Sequence, residues 1–176
     1  WVKYASHLGL NIREETISEK NLAKTFHMYN PLRGRGLNTL RNNLKHYNLI
    51  FNKHIPEDFK INSEENRLKL LAGLIDSDGY LGNSYYEITQ KNKTLSDDIL
   101  FVARSLGFAA YQKEEKKKSQ NGIEGIYYRV TISGDVDRIP VLLERKKAKP
   151  RRQVKNVLRT GFKVEELPED EYFGFE

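Results

Sequence analysis

Residues 63–82 read SEENRLKLLAGLIDSDGYLG, a stretch that predicts a helix ending in acidic residues. Ser63 has the side chain of a good N-cap, and glutamates follow it in the first turn, where the helix dipole favours negative charge. Apolar residues then recur at helical spacing up to Ile75. Asp76 and Asp78 close the helix at the end where the dipole disfavours carboxylates. Carboxylates in such a position indicate a ligand site for a hard cation such as Mg²⁺ or Ca²⁺.

Small residues, Ala72 and Gly73, interrupt the apolar stripe of this helix. Glycine costs about 1 kcal/mol relative to alanine inside a helix. Because that cost needs a compensating reason, we expect another backbone to pack closely against Gly73.

The composition favours a polyanionic partner. The 176 residues carry a formal net charge of +6, and the pI is about 9.3. Basic residues concentrate in 145–155 and acidic residues in 162–176. This asymmetry predicts a part that faces nucleic acid, followed by a tail that belongs to a different part of the protein. The absence of cysteine excludes disulfides and thiolate metal sites, and no apolar run is long enough to span a membrane.

The pattern of the remaining sequence predicts short helices and strands in alternation. The expected elements are a helix over 1–8, extended segments over 10–14 and 23–29, a helix capped by Asn38 that runs to about Tyr47, strands over 80–82, 85–91, 108–115 and 125–133, a helix capped by Thr94 and stopped by Gly107, and a short helix over 135–144 kinked by Pro140.

An internal repeat indicates how the chain is organised. The sequence YASHLGL at 4–10 corresponds to VARSLGF at 102–108, a separation of 98 residues, and the order of helix and strands after it also repeats. The same separation would place a partner of the helix over 63–78 upstream of Trp1. The chain is therefore expected to hold one and a half copies of a unit, without the first copy's signature helix.

The nonapeptide LAGLIDSDG at 71–79 resembles the signature of the LAGLIDADG homing endonucleases and departs from it only at Ser77. The resemblance implies an α+β fold in which αββαββα half-domains form a DNA-binding saddle, with the first half incomplete here. Within the family, the chain is most similar to the endonuclease region of a fungal intein, because of the KHIP sequence at 53–56, the paired lysines at 146–147 and the stretch 161–175. The implied domains are 1–62, the C-terminal part of a first half; 63–160, the second half; and 161–176, the start of the returning splicing segment.

The resemblance also implies which residues carry the chemistry. Asp78, the second acid of the motif, is the expected catalytic ligand of Mg²⁺, and Asp76 is expected to help cap the helix and orient the turn. Lys53 and Lys147 are the expected catalytic lysines, with Lys146 as the alternative to Lys147. A lysine near the scissile phosphate can orient water or offset charge in the transition state.

The expected partner is double-stranded DNA with a long recognition site. A two-stranded ribbon fits the major groove, where Gln can read adenine and Arg or Lys can read guanine, and other basic residues contact phosphates without specifying sequence. The candidates for base contacts are Gln90, Lys91, Lys93, Lys113, Lys116 and Arg129, and the candidates for backbone contacts are Arg33, Arg35, Arg151 and Arg152. Lys146 is a further candidate for a DNA contact.

These inferences predict a sequence-specific, Mg²⁺-dependent double-strand DNA endonuclease embedded in an intein. At full length it would be a pseudo-symmetric monomer, intracellular and at least transiently nuclear, with no membrane partner. Two alternatives remain open on the same fold. One is an RNA-binding intron maturase, and the other is an intein remnant that binds DNA but no longer cuts it.

Overall fold

The computed structural model describes residues 2–15, 25–32, 36–118, 122, 124–150, 156, 159, 161–169 and 171. The chain divides into two compact units, Trp1–Asp58 and Phe59–Glu176. Helices accompany strands in both units, and every described strand pair is antiparallel. The prediction of an α+β fold is therefore confirmed, while the predicted domain boundaries stay predictions.

The first unit contains a helix, a hairpin and a second helix. The predicted N-cap at Asn38 is confirmed, since its side chain accepts a hydrogen bond from the backbone N–H of Arg41 at 2.9 Å. A short helix at Glu57–Lys60 spans the boundary between Asp58 and Phe59 that divides the units. The elements are α1 (Val2–His7), β1 (Asn11–Glu15), β2 (Thr25–Tyr29), α2 (Thr39–His46) and α3 (Glu57–Lys60).

The second unit is a four-stranded sheet with helices packed on one face. The sheet has the order β3 (Gly79–Leu81), β4 (Tyr85–Gln90), β6 (Glu124–Ser133) and β5 (Ala109–Lys118), so the helix between β4 and β5 carries the chain to the edge opposite β3. Short 3₁₀ turns at Val136–Arg138 and Glu144–Lys146 follow the last strand. The elements are α4 (Glu64–Asp78), β3 (Gly79–Leu81), β4 (Tyr85–Gln90), α5 (Lys93–Ser105), β5 (Ala109–Lys118) and β6 (Glu124–Ser133).

The alternation of side chains gives this sheet a core face and an outer face. On β4, the buried residues Tyr86, Ile88 and Gln90 alternate with partly exposed neighbours. The core is formed by fully buried side chains of α4, α5, β4 and β6, among them Leu71, Ile75, Ile99, Val102, Val130 and Ile132. The opposite, outer face carries Tyr85, Glu87, Thr89, Tyr111, Lys113, Glu115, Lys117, Tyr127, Arg129 and Thr131.

Two predicted elements differ from the structure. Helix α5 begins at Lys93 and is capped by Asn92, whose side chain accepts from the N–H of Leu95 at 2.9 Å, and not by Thr94. Asn is as good an N-cap as Thr or better, and it comes first after the strand. The predicted helix over 135–144 was wrong, because Pro140 holds the preceding Ile139 in extended geometry and the chain continues without regular structure as far as Glu144.

The expectation for Gly73 is not met within the described residues. Ala72 is buried, but Gly73 is exposed, and a Cβ built on it would have no atom within 4 Å. Gly79 is the crowded glycine of the motif, since a Cβ there would lie 2.7 Å from the Cα of Ile75. The motif therefore requires a residue without a Cβ at Gly79, where helix α4 ends and strand β3 begins.

Candidate active site and nucleic-acid interface

The C-terminal end of α4 gathers carboxylates without any basic residue in its own last turn. Asp76 and Asp78 both lie at the end where unpaired carbonyls already carry partial negative charge. Lys146 supplies the missing positive charge. Its ammonium donates to the carbonyls of Ile75 at 2.7 Å and Asp76 at 2.9 Å, and the residue is only 4% exposed.

The structure thus gives Lys146 a different role from the predicted ones. It was a candidate for a DNA contact and the alternative catalytic lysine. A buried ammonium that bonds two helix carbonyls completes the end of α4 and is not presented to a ligand in this arrangement. The exposed Lys147 beside it is the better candidate for chemistry.

Asp76 also differs from its predicted role as a cap of its own helix. Its carboxylate accepts hydrogen bonds from the backbone N–H groups of Leu142 at 2.8 Å and Leu143 at 3.1 Å. Asp76 therefore fastens the irregular segment that follows Pro140. We call residues 142–148 the strap.

Tyr86 fastens the other end of the strap. Its buried hydroxyl donates to the carbonyl of Lys146 at 2.6 Å and accepts from the N–H of Ala148 at 3.2 Å. Burial raises the pKa of Tyr86 above its ordinary value of 10.0, and the protonated phenol donates this bond. The two bonded peptide groups lie on either side of Lys147.

Lys147 itself lies at the surface. Its side chain is 50% exposed, and its ammonium pairs with Glu144 at 2.6 Å. Together with Lys149 it lines a cleft of about 380 Å³, closed on the other side by residues 81–84 at the β3–β4 turn. The cleft thus brings basic side chains beside the strand that follows Asp78.

Asp78, the predicted metal ligand, is exposed at the last position of α4. Its Oδ2 accepts a hydrogen bond from the side-chain amide of Gln90 at 2.9 Å. Gln90 was predicted to read a base, but it is 8% exposed on the core face of β4, so its amide orients the carboxylate instead. The predicted catalytic Lys53 is exposed in the first unit, between Asn52 and His54.

The described residues contain no group of three His, Asp or Glu side chains able to hold a metal ion. A single accessible carboxylate nevertheless suits Mg²⁺, which is commonly bound through one or two carboxylates together with waters and substrate phosphates. Asp78 thus fits a site that phosphate oxygens of a substrate complete.

On the outer face of the sheet, Arg129 lies between two carboxylates. Its guanidinium pairs with Glu115 at 2.9 Å and with Glu87 at 3.7 Å. Lys117 pairs with the same Glu115 at 3.6 Å, and Lys113 is exposed opposite Arg129 in the register. Lys117 was missed by the sequence analysis, although its odd number places it on the same strand face as Lys113.

Other predicted DNA contacts are distributed differently. Lys93 pairs with Asp97 at 2.6 Å and lies over the ring of Tyr128, on the helix side of the sheet. The alternation of side chains places Lys116 on the core face of β5, although its side chain is exposed. Lys91 is exposed just after β4. The remaining candidates, Arg33, Arg35, Arg151 and Arg152, lie outside the described residues.

Comparison with known proteins gives two findings. The family profile described as homing endonuclease matches residues 54–158, more than half of the chain. A replicative DNA helicase DnaB from Mycobacterium intracellulare is 32% identical over 127 residues, which cover 70% of this chain and 21% of the helicase. The chain thus spans about a fifth of the length of this relative. None of the helices in the described ranges combines the length and the hydropathy of a membrane span.

Proposed function

Because the chain belongs to the homing endonuclease family, we propose that it is the catalytic and DNA-reading part of a LAGLIDADG enzyme that cuts both strands of a specific duplex with Mg²⁺. The observation that carries the proposal is the end of α4. An exposed carboxylate, Asp78, is oriented there by Gln90, and the strap ties an exposed lysine, Lys147, to the same helix end.

Each residue at this end has a task in phosphodiester cleavage. A divalent ion bound there would activate water and stabilise the leaving oxygen. Asp78 would hold that ion through its exposed carboxylate. Lys147 would offer its ammonium to the scissile phosphate, where it offsets the charge that develops in the transition state. Lys53 would do the same for the incomplete first half.

The outer face of the sheet would meet the duplex. Beyond the end of β4, strands β5 and β6 continue as a two-stranded ribbon over 115–118 and 124–127, and a ribbon of this kind fits a major groove. Arg129, held between carboxylates, is the best candidate for bidentate contact with guanine, while Lys113 and Lys117 would approach phosphates. This arrangement favours duplex DNA over the RNA partner of a maturase.

The length comparison supports an enzyme embedded in a host protein. The matching region is about a fifth of a protein named as a helicase, as expected for an endonuclease segment within an intein. The open side of Gly73 would receive the signature helix of the other half, which would make the full-length protein a pseudo-symmetric monomer. The fungal origin and the nuclear location stay predictions, and the helicase relative is bacterial.

The test is Asp78→Asn in the full-length protein that contains these residues. The substitution keeps the shape of the side chain and the bond to Gln90 but removes the charge that holds the ion. We expect plasmid cleavage with Mg²⁺ to fall by orders of magnitude, while metal-free DNA affinity stays or rises because a negative charge near phosphate is gone.

The matched control is Asp135→Asn, which makes the same charge change at an exposed position whose side chain makes no capping bond. Normal cutting by Asp78→Asn, or a loss of cutting that follows only from a loss of DNA binding, contradicts the metal assignment. A preference for structured RNA over duplex DNA in direct competition would favour the maturase.

A further inference from the structure

The strap is held by hydrogen bonds more than by packing. Leu142 is 83% exposed and Leu143 is 40% exposed, so the apolar side chains at its start contribute little burial. Polar anchors take their place. Asp76 bonds the first two peptide groups of the strap, and the ammonium of Lys146 bonds the end of α4.

The third anchor, the hydroxyl of Tyr86, bonds the peptide groups on both sides of Lys147. Tyr86 is fully buried, and it is the only described residue that bonds both the carbonyl of Lys146 and the N–H of Ala148 through its side chain. A phenol hydroxyl can donate and accept at once, and that of Tyr86 does both.

We infer that Tyr86 is a positioning residue for Lys147, and that its hydroxyl holds the backbone from which the lysine reaches the scissile phosphate. The inference rests on the proposed function. A lysine side chain has several rotatable bonds, so its ammonium can be placed reproducibly only if its Cα is fixed. Two bonds to one rigid phenol fix the peptides on either side of that Cα.

The geometry also explains why a polar aromatic residue occupies this core position. On β4 the core face alternates Tyr86, Ile88 and Gln90, so each end of the buried row carries a polar group. Gln90 bonds Asp78 at one end, and Tyr86 bonds the strap at the other. One strand therefore sets the positions of both the proposed metal ligand and the proposed catalytic lysine.

The experiment replaces Tyr86 by Phe in the full-length protein. Tyr86→Phe keeps the ring in the core and removes only the hydroxyl. We expect kcat at saturating duplex to fall about 10–100-fold, as for other groups that orient a reacting side chain. The Kd for DNA should stay within about twofold of the wild type, because the outer face is untouched.

Amide hydrogen exchange supplies a readout that does not depend on cleavage. The N–H of Ala148 and its neighbours in the strap should exchange faster in Tyr86→Phe, while β4 and β6 keep their protection. The control is Tyr128→Phe, which removes a phenol hydroxyl from the same sheet without touching the strap. It should leave both kcat and strap exchange unchanged.

A second background tests whether Tyr86 acts through Lys147. In Lys147→Met, adding Tyr86→Phe should lower kcat no further, because the positioned group is already absent. An equal loss in both backgrounds overturns the inference, and so does an unchanged kcat in the single variant.

Failure of the proposed function is distinguishable from failure of this inference. A wild type that cuts no duplex with any divalent ion refutes the proposed function. Unchanged strap exchange in Tyr86→Phe overturns the positioning role whether or not the protein cuts. If Tyr86→Phe does not fold, Asp76→Asn is the substitute variant, because it loosens the strap at its other anchor. Asp76→Asn should raise the rate of amide exchange in the strap and lower kcat. Unchanged values of both would again overturn the inference.

Discussion

The turn after α1 and the turn after α5 have the same geometry although they lie in different units. Gly9 has a φ of +66° and Gly107 a φ of +83°. The N–H of Gly9 donates to Ser6 at 3.0 Å, and the N–H of Gly107 donates to Arg104 at 2.9 Å. Both helices therefore end in a left-handed glycine cap of the Schellman type.

The residues around the two caps also correspond. The N–H of Leu10 donates to the carbonyl of Ala5 at 2.8 Å, and that of Phe108 donates to Ala103 at 3.2 Å. All four side chains are buried. An antiparallel hairpin follows each cap, so the repeat seen in the sequence is also a repeat of structure.

The two hairpins then differ in what surrounds them. The strands of β1–β2 have five residues each and form a separate, mostly exposed sheet. The strands of β5–β6 have ten residues each and belong to a sheet covered by α4 and α5. Local sequence thus determines the helix, the cap and the hairpin in both places, whereas only in the second unit do α4 and α5 supply a core against which the hairpin packs.

The candidate lysines show the same contrast. Lys147 lies between peptide groups that Tyr86 bonds from the core of its unit. Lys53 lies in an exposed stretch where His54 makes a local contact with the carbonyl of Asn52 at 3.2 Å. The comparison shows that the backbone around Lys147 is bonded from the core of its unit, whereas the contact described beside Lys53 is local.

The largest effect is expected from removing either lysine in the full-length protein. If each half serves one strand, Lys147→Met should slow the cutting of one strand by about 10²–10³-fold, and Lys53→Met should slow the other by a similar factor. Nicked plasmid should accumulate in both variants, and strand-specific end labels identify the surviving cut. If one substitution slowed the cutting of both strands equally, the assignment of one lysine to each strand would be wrong.

The next effect is a difference in stability between alanine substitutions at the two glycines of the 71–79 motif, Gly73 and Gly79. Gly79→Ala should destabilise the protein by about 1–3 kcal/mol, because the new Cβ meets the backbone of Ile75. Gly73→Ala in the 176-residue chain should stabilise α4 by about 0.5–1 kcal/mol, since its Cβ enters open space. Urea unfolding measures both.

The same Gly73→Ala variant tests the partner helix. In the full-length protein the added methyl should be neutral or destabilising, because another helix would pack on that side. Stabilisation in both lengths would count against a partner helix.

A smaller effect tests the equivalence of the caps. Gly9→Ala and Gly107→Ala should each cost about 1–2 kcal/mol, because both positions have left-handed backbone geometry. Asn tolerates this region better and should cost less at both sites. Thermal unfolding of the four variants checks the prediction, and a large difference between corresponding variants would show that only one cap is formed in solution.

The smallest effect concerns pH at the start of α5, which carries an ion pair. Hydrogen bonds from Lys93 and Gln112 hold the pKa of Asp97 below its ordinary value of 3.8. A lowered folded pKa means that the contribution to stability is present above pH 3.8 and is lost as the pH falls through the folded value. Asp97 is 45% exposed, so solvent screening keeps the contribution small.

Chemical denaturation of wild type and Asp97→Asn along an acid titration measures this contribution. The variant should be slightly less stable at neutral pH, and the difference should vanish at the acid end. A difference that persists in acid would mean that Asp97 stabilises α5 without its charge.

Much of the fold could be predicted because its signals are local. Ser63 caps α4 as predicted, with the N–H of Asn66 donating to its hydroxyl at 3.4 Å, and Gly107 stops α5 as predicted. Period-two alternation located the hairpins to within a few residues. Such signals depend on neighbours within a few positions, which the sequence displays directly.

The contacts that organise the candidate site could not be predicted in the same way. Lys146 meets Ile75 across 71 positions, and Asp76 meets Leu142 across 66. No local pattern distinguishes a buried Lys146 from an exposed Lys147. Gln90 is different, because the alternation of side chains along β4 predicts that it lies on the same face as Tyr86 and Ile88. That pattern would have placed Gln90 in the core.

The strap has one further consequence for how this protein can change. Adjacent lysines point in opposite directions, one into the end of α4 and the next to the surface. Asp76 fixes the strap at Leu142 and Leu143, so a deletion of one residue between Leu143 and Lys146 would bring Lys147 to the inner position in place of Lys146. Irregular segments ordinarily tolerate changes in length. This one is expected to keep its length as strictly as a paired strand keeps its register, and sequence drift in it should proceed by substitution alone.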